Sequence, residues 1–131
     1  EINWDDRGGD RETASVLSDY KWNKVMLEQL VSNAIKYSAN YERRKIEFII
    51  KIKEKKTLLT IKDSGAGIPE YDIDRVFDAF FTGENGREFN NSTGIGLYIC
   101  SQIADKLGQE ISINSEVGVG TEVTISYLTE M

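Results

Sequence analysis

The stretch EQLVSNAIKY, residues 28–37, decides the fold because it combines a buried face with a row of polar groups. At 3.6 residues per turn, a helix brings four of its side chains to one side: Gln29, Asn33, Lys36 and Tyr37. Ala34 lies beside them, next to an apolar stripe formed by Trp22, Met26 and Leu30. Such a helix is suited to form the floor of a site for an anionic, partly aromatic ligand.

The residues around this stretch predict one helix followed by a β-hairpin. Asp19 is a candidate N-cap for a helix over 20–37. A period-two pattern then places four apolar residues on one face of a strand: Ile46, Phe48, Ile50 and Ile52. The polar link Glu54–Lys56 leads to a second strand over 57–63, so we expect the two strands to pair.

The second half of the chain predicts two further helices and two further strands. Residues 72–81 have the pattern of a short helix that ends in aromatic residues. Residues 94–107 have the pattern of a longer helix, closed by Gly108. The closing strands are expected over 110–115 and 121–128.

The N-terminal residues carry a weaker pattern. Asp5–Arg11 is polar and contains two glycines, which is typical of a loop, so residues 1–14 are expected to form a flexible segment. Val16–Leu17 is a candidate short strand, and Trp4 fits either a core contact or an exposed position. The 131 residues are expected to form a single domain.

Composition excludes several classes of function. The chain contains no histidine, which excludes imidazole metal sites and serine–histidine triads. Its single cysteine, Cys100, excludes an internal disulfide and fits a reducing compartment. A formal net charge of −6 argues against binding to nucleic acid or to an anionic membrane. We find no membrane span and no signal peptide, and the start at Glu1 suggests a fragment of a longer protein.

The end of the second predicted strand carries a polar anomaly. Asp63 shares the parity of Leu59 and Ile61, so its carboxylate is expected on the core side of the sheet. It is followed by SGAGIP, in which paired glycines permit a close backbone approach. A buried carboxylate beside a glycine turn can accept a hydrogen bond from the exocyclic amine of adenine.

Other features are suited to phosphate. The helix that opens with Gly94 and Gly96 offers free N–H groups to an anion, and the long polar loop before it supplies Arg87 and small hydroxyl groups. Asn33 has an amide oxygen suited to Mg²⁺, and Lys36 can neutralise phosphate. Together these features predict a Mg·ATP pocket.

Each feature alone also has a structural explanation that is more common. Asn33 can be a satisfied polar residue, Lys36 a solvated one, and Asp63 the cap of a turn. Gly94-x-Gly96 by itself is a weak phosphate motif. The conjunction of all four features, in this order along the chain, favours the nucleotide site.

The same segments resemble the conserved boxes of histidine-kinase catalytic domains, a branch of the GHKL superfamily. The N, G1, F and G2 boxes and the closing glycine–threonine turn resemble residues 29–37, 63–68, 76–81, 92–97 and 118–121. The resemblance covers about 15–128. The run FFTGENGR…STGIGLYIC is most similar to the intramembrane-sensing kinases of Gram-positive bacteria.

This resemblance implies a fold and a set of site residues. The fold is the Bergerat-type α/β two-layer sandwich, an α+β arrangement with a mixed sheet, helices on one face and a mobile ATP lid over 82–93. On the metal and phosphate side, Asn33 would ligate Mg²⁺ and Lys36 would contact phosphate. The remaining nucleotide contacts would come from Tyr37, Asp63, Gly65, Gly67, Ile68, Arg87, Thr93, Gly94, Ile95, Gly96, Leu97 and Thr121, with Asp63 accepting the adenine amino group.

The implied function is transfer of the ATP γ-phosphoryl group to a histidine of a separate dimerisation domain. That domain would belong to the same full-length, membrane-anchored sensor kinase, with this domain in the cytoplasm and a response regulator as an indirect partner. A nucleotide-binding regulatory module and a hydrolytic ATPase are the alternatives. Gln29 stands where hydrolytic relatives carry a glutamate, and glutamine is a poor general base, which disfavours hydrolysis.

Overall fold

The computed structural model describes residues 2–6, 19–38, 45–79 and 96–128, and for residues 2–6, 37 and 38 it describes the backbone alone. Five strands lie in these ranges: β1 (Ile2–Asp6), β2 (Ile46–Ile52), β3 (Lys56–Asp63), β4 (Glu110–Glu116) and β5 (Gly120–Leu128). The same ranges contain three helices: α1 (Tyr20–Ser38), α2 (Glu70–Ile73) and α3 (Gly96–Lys106). The predicted long helices, the hairpin and the closing strands are therefore confirmed.

The sheet is mixed, as predicted, with strand order β1-β2-β3-β5-β4. β1 runs parallel to β2, and every other neighbouring pair is antiparallel. The β2–β3 link is closed by the N–H of Lys53, which donates to the carbonyl oxygen of Lys56 over 2.8 Å. Because β5 lies between β3 and β4, the ends of three strands meet at one end of the sheet.

The core lies between one face of this sheet and the pair α1–α3. Its helical side is formed by Met26, Leu30, Ala34, Cys100, Ile103 and Ala104. Its sheet side is formed by Ile46, Phe48, Ile61, Val123, Ile125 and Tyr127. Each large apolar side chain buried there contributes about 1.5–3 kcal/mol to folding, so the two layers are held together mainly by this contact. No helix in the described ranges has the length and hydropathy needed to cross a bilayer.

The start of α1 is fixed by two side-chain hydrogen bonds. The Asp19 carboxylate accepts the N–H of Trp22 over 3.1 Å, which confirms the predicted N-cap. The Tyr127 hydroxyl donates to the amide oxygen of Asn23 over 2.6 Å and ties α1 to the end of β5. The prediction that Trp22 belongs to the buried stripe is wrong, since it is 53% exposed. The core ends at the Asn23–Tyr127 contact, and Trp22 lies beyond it.

Two other predictions need correction. Residues 2–6 form an edge strand in parallel register with β2, whereas the polar pattern around Asp5 and Asp6 predicts a loop. The flexible segment expected over 1–14 stays a prediction, since residues 7–14 lie outside the described part of the chain. A parallel pairing with a distant strand leaves little local sequence signal. The candidate strand at Val16–Leu17 and the side chain of Trp4 lie outside the described part of the chain.

The short helix predicted over 72–81 is also displaced. α2 spans Glu70–Ile73 because Pro69 precedes it with a backbone φ of −57°, which is compatible with a helix start. After it the chain continues in tight turns, in which the N–H of Arg75 donates to the carbonyl oxygen of Asp72. Asp72, within α2, is buried.

The C-terminus of α3 explains the role of Gly108. Gly108 has a φ of +69° and donates its N–H to the carbonyl oxygen of Asp105, while the N–H of Gln109 donates to the carbonyl oxygen of Ala104. This pair of bonds is the Schellman motif, in which a left-handed residue satisfies the last helical carbonyl groups. The predicted helix end at Gly108 is confirmed.

A matched pair of substitutions separates backbone conformation from packing. Gly67 and Gly108 have similar φ values, +78° and +69°, but only the Cβ of Gly67→Ala would collide with the backbone of Glu116. Gly108→Ala should cost about 1–2 kcal/mol for the left-handed conformation. Gly67→Ala should cost about 1–3 kcal/mol more because of overpacking. Urea unfolding of both variants checks this difference, and equal losses of stability would contradict the close approach at Gly67.

Candidate functional site

The candidate site begins with a row of polar side chains across three strands. Asp63 at the end of β3 is paired in register with Thr121 of β5, and Thr121 is paired with Ser115 of β4. All three residues have the parity of the core residues in their own strands, and Asp63 and Thr121 are buried. The prediction that the Asp63 carboxylate lies on the core side is therefore confirmed.

The Asp63 carboxylate is held by backbone donors. One of its oxygens, Oδ1, accepts the N–H of Gly65 over 2.9 Å, and the backbone N–H of Thr121 donates to the same carboxyl group. Burial raises the pKa of Asp63, while the two N–H donors partly offset this effect by favouring the charged form. The result is a desolvated acceptor with fixed orientation.

The glycine-containing loop after β3 is clamped to the β4–β5 turn. The N–H of Gly118 donates to the carbonyl oxygen of Ala66 over 2.9 Å, and the N–H of Ile68 donates to Ser115 Oγ over 2.7 Å. Gly67 lies so close to the backbone of Glu116 that a Cβ atom could not be accommodated. These contacts fix the loop at the side of Asp63.

Gly120 permits the second close approach at this site. It has a φ of +142°, and a Cβ atom there would collide with the backbone carbonyl oxygen of Asp63. The start of β5 can therefore lie against the end of β3, which brings Thr121 beside the carboxylate. A depression of about 310 Å³ opens at this end of the sheet, and its lining includes Asp63, Ser115 and Thr121.

The polar stripe of α1 meets the first residue of α3. A Cβ atom at Gly96 would lie 3.1 Å from Gln29 Oε1, so Gln29 points at the start of that helix. Asn33 and Lys36 follow Gln29 along α1, and both are half-buried. The first described turn of α3 thus lies beside Gln29, at the edge of the stripe that the sequence pattern assigns to phosphate and metal.

The structure brings five of the described candidate residues together at the strand ends: Asp63, Gly65, Gly67, Ile68 and Thr121. On the helical side it shows Gln29 of α1 beside Gly96 of α3, and Leu97 packs against the core. Asn33 and Lys36 lie about one and two turns further along α1. Tyr37 lies in α1, but only its backbone is described. Arg87, Thr93, Gly94, Ile95 and the predicted lid over 82–93 lie outside the described residues.

Ser115 is a site residue that the sequence analysis missed. Its Oγ atom contacts the backbone of Ile68, the carbonyl oxygen of Gly120 and the hydroxyl of Thr121. A signal was present in the sequence, because Ser115 shares its strand parity with Ile111 and Ile113. A polar residue at an inward position is the same anomaly that identified Asp63.

A larger groove of about 580 Å³ runs along another face of α1. It is mainly apolar and is lined by Leu27, Val31 and Ile35, among others, but by none of the candidate site residues. Its apolar lining is poorly suited to a triphosphate. The polar features relevant to an anionic ligand therefore lie at the strand ends and at the start of α3.

The fold and the polar row define a two-layer α/β domain with an open site at one end of its sheet. The sequence matches the family described as histidine kinase-, DNA gyrase B-, and HSP90-like ATPase over residues 19–130. The chain belongs to this family.

Individual relatives lie on the kinase branch of the family. The chain is 48% identical over 116 residues to the sensor histidine kinase YxdK of Bacillus subtilis (strain 168). It is 35% identical over 112 residues to the sensor protein kinase GraS of Staphylococcus aureus (strain MRSA252). These matches cover 88% and 86% of this chain but 35% and 32% of the relatives, so the chain spans about a third of their length.

A solved structure agrees with this assignment. The catalytic domain of histidine kinase ThkA, in a nucleotide-free form, matches with a TM-score of 0.78 and 27% sequence identity. The match covers 98% of this chain and 78% of that domain. The predicted fold class is confirmed, and so is the resemblance to sensor histidine kinases of Gram-positive bacteria.

Proposed function

We propose that this domain binds Mg·ATP and transfers the γ-phosphoryl group to a histidine on a separate domain of its full-length protein. The main support for the proposal is the buried Asp63 carboxylate, which is oriented by Gly65 and Thr121, in a residue that lines a depression. Adenine presents an exocyclic amine that this acceptor can bind. Gly65, Gly67 and Ile68 would shape the pocket around the base.

The phosphates would lie on the α1–α3 side of the site. In this proposal the N-terminal end of α3 would offer backbone N–H groups to the phosphates, and Lys36 on α1 would neutralise further charge. Thr93, Gly94 and Ile95 precede Gly96, Tyr37 follows Lys36 in the sequence, and Arg87 belongs to the preceding loop. We assign these residues to the nucleotide as well, with residues 82–93 as the lid.

The metal would be held mainly by the nucleotide. In the described ranges, no group of three acidic, cysteine or histidine side chains could bind a metal by itself. Asn33 contributes one amide oxygen, and Mg²⁺ typically takes one or two protein ligands and completes its shell with phosphate oxygens and water. The half-buried Asn33 beside the phosphate side fits this arrangement, in which Mg²⁺ would neutralise charge on the phosphates.

Transfer is favoured over hydrolysis by the residue at position 29. Gln29 points at the first residue of α3, next to the assigned phosphate region, and its neutral amide is a poor base for activating water. The chain has no histidine, so the acceptor must lie elsewhere. We assign it to a dimerisation domain in the remaining two-thirds of a membrane-anchored sensor kinase, which places this domain in the cytoplasm and upstream of a response regulator.

Base selectivity tests the assignment of Asp63. Asp63→Asn introduces a donor that can pair with the guanine carbonyl and weakens acceptance from adenine. We expect the ratio of ATP to GTP affinity to fall by about tenfold or more, since hydrogen bonds to charged groups contribute about 1.5–3 kcal/mol. Calorimetric titration with both nucleotides measures the ratio. Asp105→Asn, the same change at an exposed position near the end of α3, is the matched control. An unchanged ratio in Asp63→Asn would contradict the assignment.

Labelled ATP separates transfer from the alternative functions. With [γ-³²P]ATP, Mg²⁺ and the separate acceptor domain, we expect label on the acceptor histidine and little phosphate release from this domain alone. Asn33→Ala should reduce the labelling because it removes the metal ligand. Binding of ATP without any labelled histidine would favour a regulatory module, and steady phosphate release by the isolated domain would favour a hydrolytic ATPase.

A further inference from the structure

Ser115 lies at the β4 end of the polar row and has not been assigned a role in binding. It belongs to β4, where inward residues alternate with exposed ones, and it lies opposite Thr121 in the strand register. Thr121 in turn lies opposite Asp63. Ser115 is therefore one strand removed from the carboxylate and adjacent to the hydroxyl group beside it.

The three contacts of Ser115 can all be hydrogen bonds at once in only one arrangement of their protons. A serine hydroxyl has one proton and two lone pairs. Ser115 Oγ accepts the N–H of Ile68 over 2.7 Å and donates its own proton to the carbonyl oxygen of Gly120 over 3.0 Å. The remaining 2.7 Å contact, to Thr121 Oγ1, can then be a hydrogen bond only if Thr121 is the donor.

This proton assignment determines what Thr121 offers to a ligand. When the Thr121 O–H donates its hydrogen bond to Ser115, only the lone pairs of the Thr121 oxygen remain available to a ligand. Thr121 and Asp63 both line the depression, so these lone pairs are available there. The edge of the pocket is then a pair of acceptors. The amino group of adenine has two N–H donors and can donate hydrogen bonds to these two acceptors, directly or through water. The guanine carbonyl oxygen at the same position is itself an acceptor and would find no donor in this pair.

We infer that Ser115 is a positioning residue that holds the Thr121 hydroxyl as a hydrogen-bond acceptor and thereby increases the selection of adenine over guanine nucleotides. The inference rests on the proposed adenine-nucleotide function. Without the Ser115 hydroxyl, Thr121 can rotate and donate its proton to a guanine carbonyl. Ser115 also accepts the Ile68 N–H, and loss of that contact should weaken the binding of both nucleotides alike.

Paired affinities for ATP and GTP test this role. We expect Ser115→Ala to lower the ATP:GTP affinity ratio by about 3- to 10-fold, which corresponds to about 0.7–1.4 kcal/mol and is typical of one hydrogen bond. Ser115→Thr keeps the hydroxyl and should retain most of the ratio. Ser112→Ala removes an exposed serine from the same strand and should leave the ratio unchanged. If Ser115 only stabilised the fold, Ser115→Ala would lower the affinities for ATP and GTP equally and leave their ratio unchanged.

The outcomes distinguish this inference from the proposed function. If Asp63→Asn lowers the ratio but Ser115→Ala does not, the role of Ser115 is overturned and the base assignment stands. If neither variant changes the ratio, both the base assignment and the role of Ser115 are overturned.

A second variant keeps the test decisive if Ser115→Ala does not fold. Thr121→Val removes the acceptor directly and should also lower the ratio, so an unchanged ratio would overturn the inference. Where all the proteins fold, Ser115→Ala should have no further effect on the ratio in the Thr121→Val background. Additive effects of the two changes would also overturn it.

Discussion

A buried carboxylate at a strand end is the constraint on which the rest of this domain depends. Asp63 is desolvated on the core side of the sheet, and an unpaired charge there would be strongly unfavourable. Two backbone N–H groups supply the compensation, one from the loop that follows it and one from β5. Gly120 allows the start of β5, which carries the second donor, to lie against the backbone of Asp63, and Gly67 allows the loop after β3 to lie against Glu116.

The same constraint links folding to the site. The β4–β5 turn must lie against the loop after β3 to satisfy Asp63, and Ser115 joins the two through the N–H of Ile68 and the carbonyl oxygen of Gly120. The apolar contact between α1 and the sheet then places the polar stripe of α1 beside the start of α3. The residues assigned to the base, at the strand ends, and the residues assigned to the phosphates, on α1 and α3, are therefore positioned by the same hydrophobic core.

Local patterns in the sequence were sufficient for much of this arrangement. Helical and strand periodicity located α1, α3 and four strands, and the parity of Asp63 with Ile61 placed its carboxylate correctly. Features that depend on distant partners were not predictable in this way. The strand β1 is defined by its pairing with the distant strand β2. Trp22 is exposed because the core ends at Asn23. The contacts of Ser115 follow from the register between β4 and β5.

The ionisation of Asp63 with and without nucleotide tests the central claim most directly, and its side-chain carboxyl ¹³C shift can be followed against pH. The account predicts a pKa above the ordinary aspartate value in the free domain, because burial raises it. Saturation with ADP should lower this pKa, since a donor amine stabilises the charged form, whereas GDP should not. An unshifted pKa in the free domain, or one that adenine nucleotide leaves unchanged, would contradict the account.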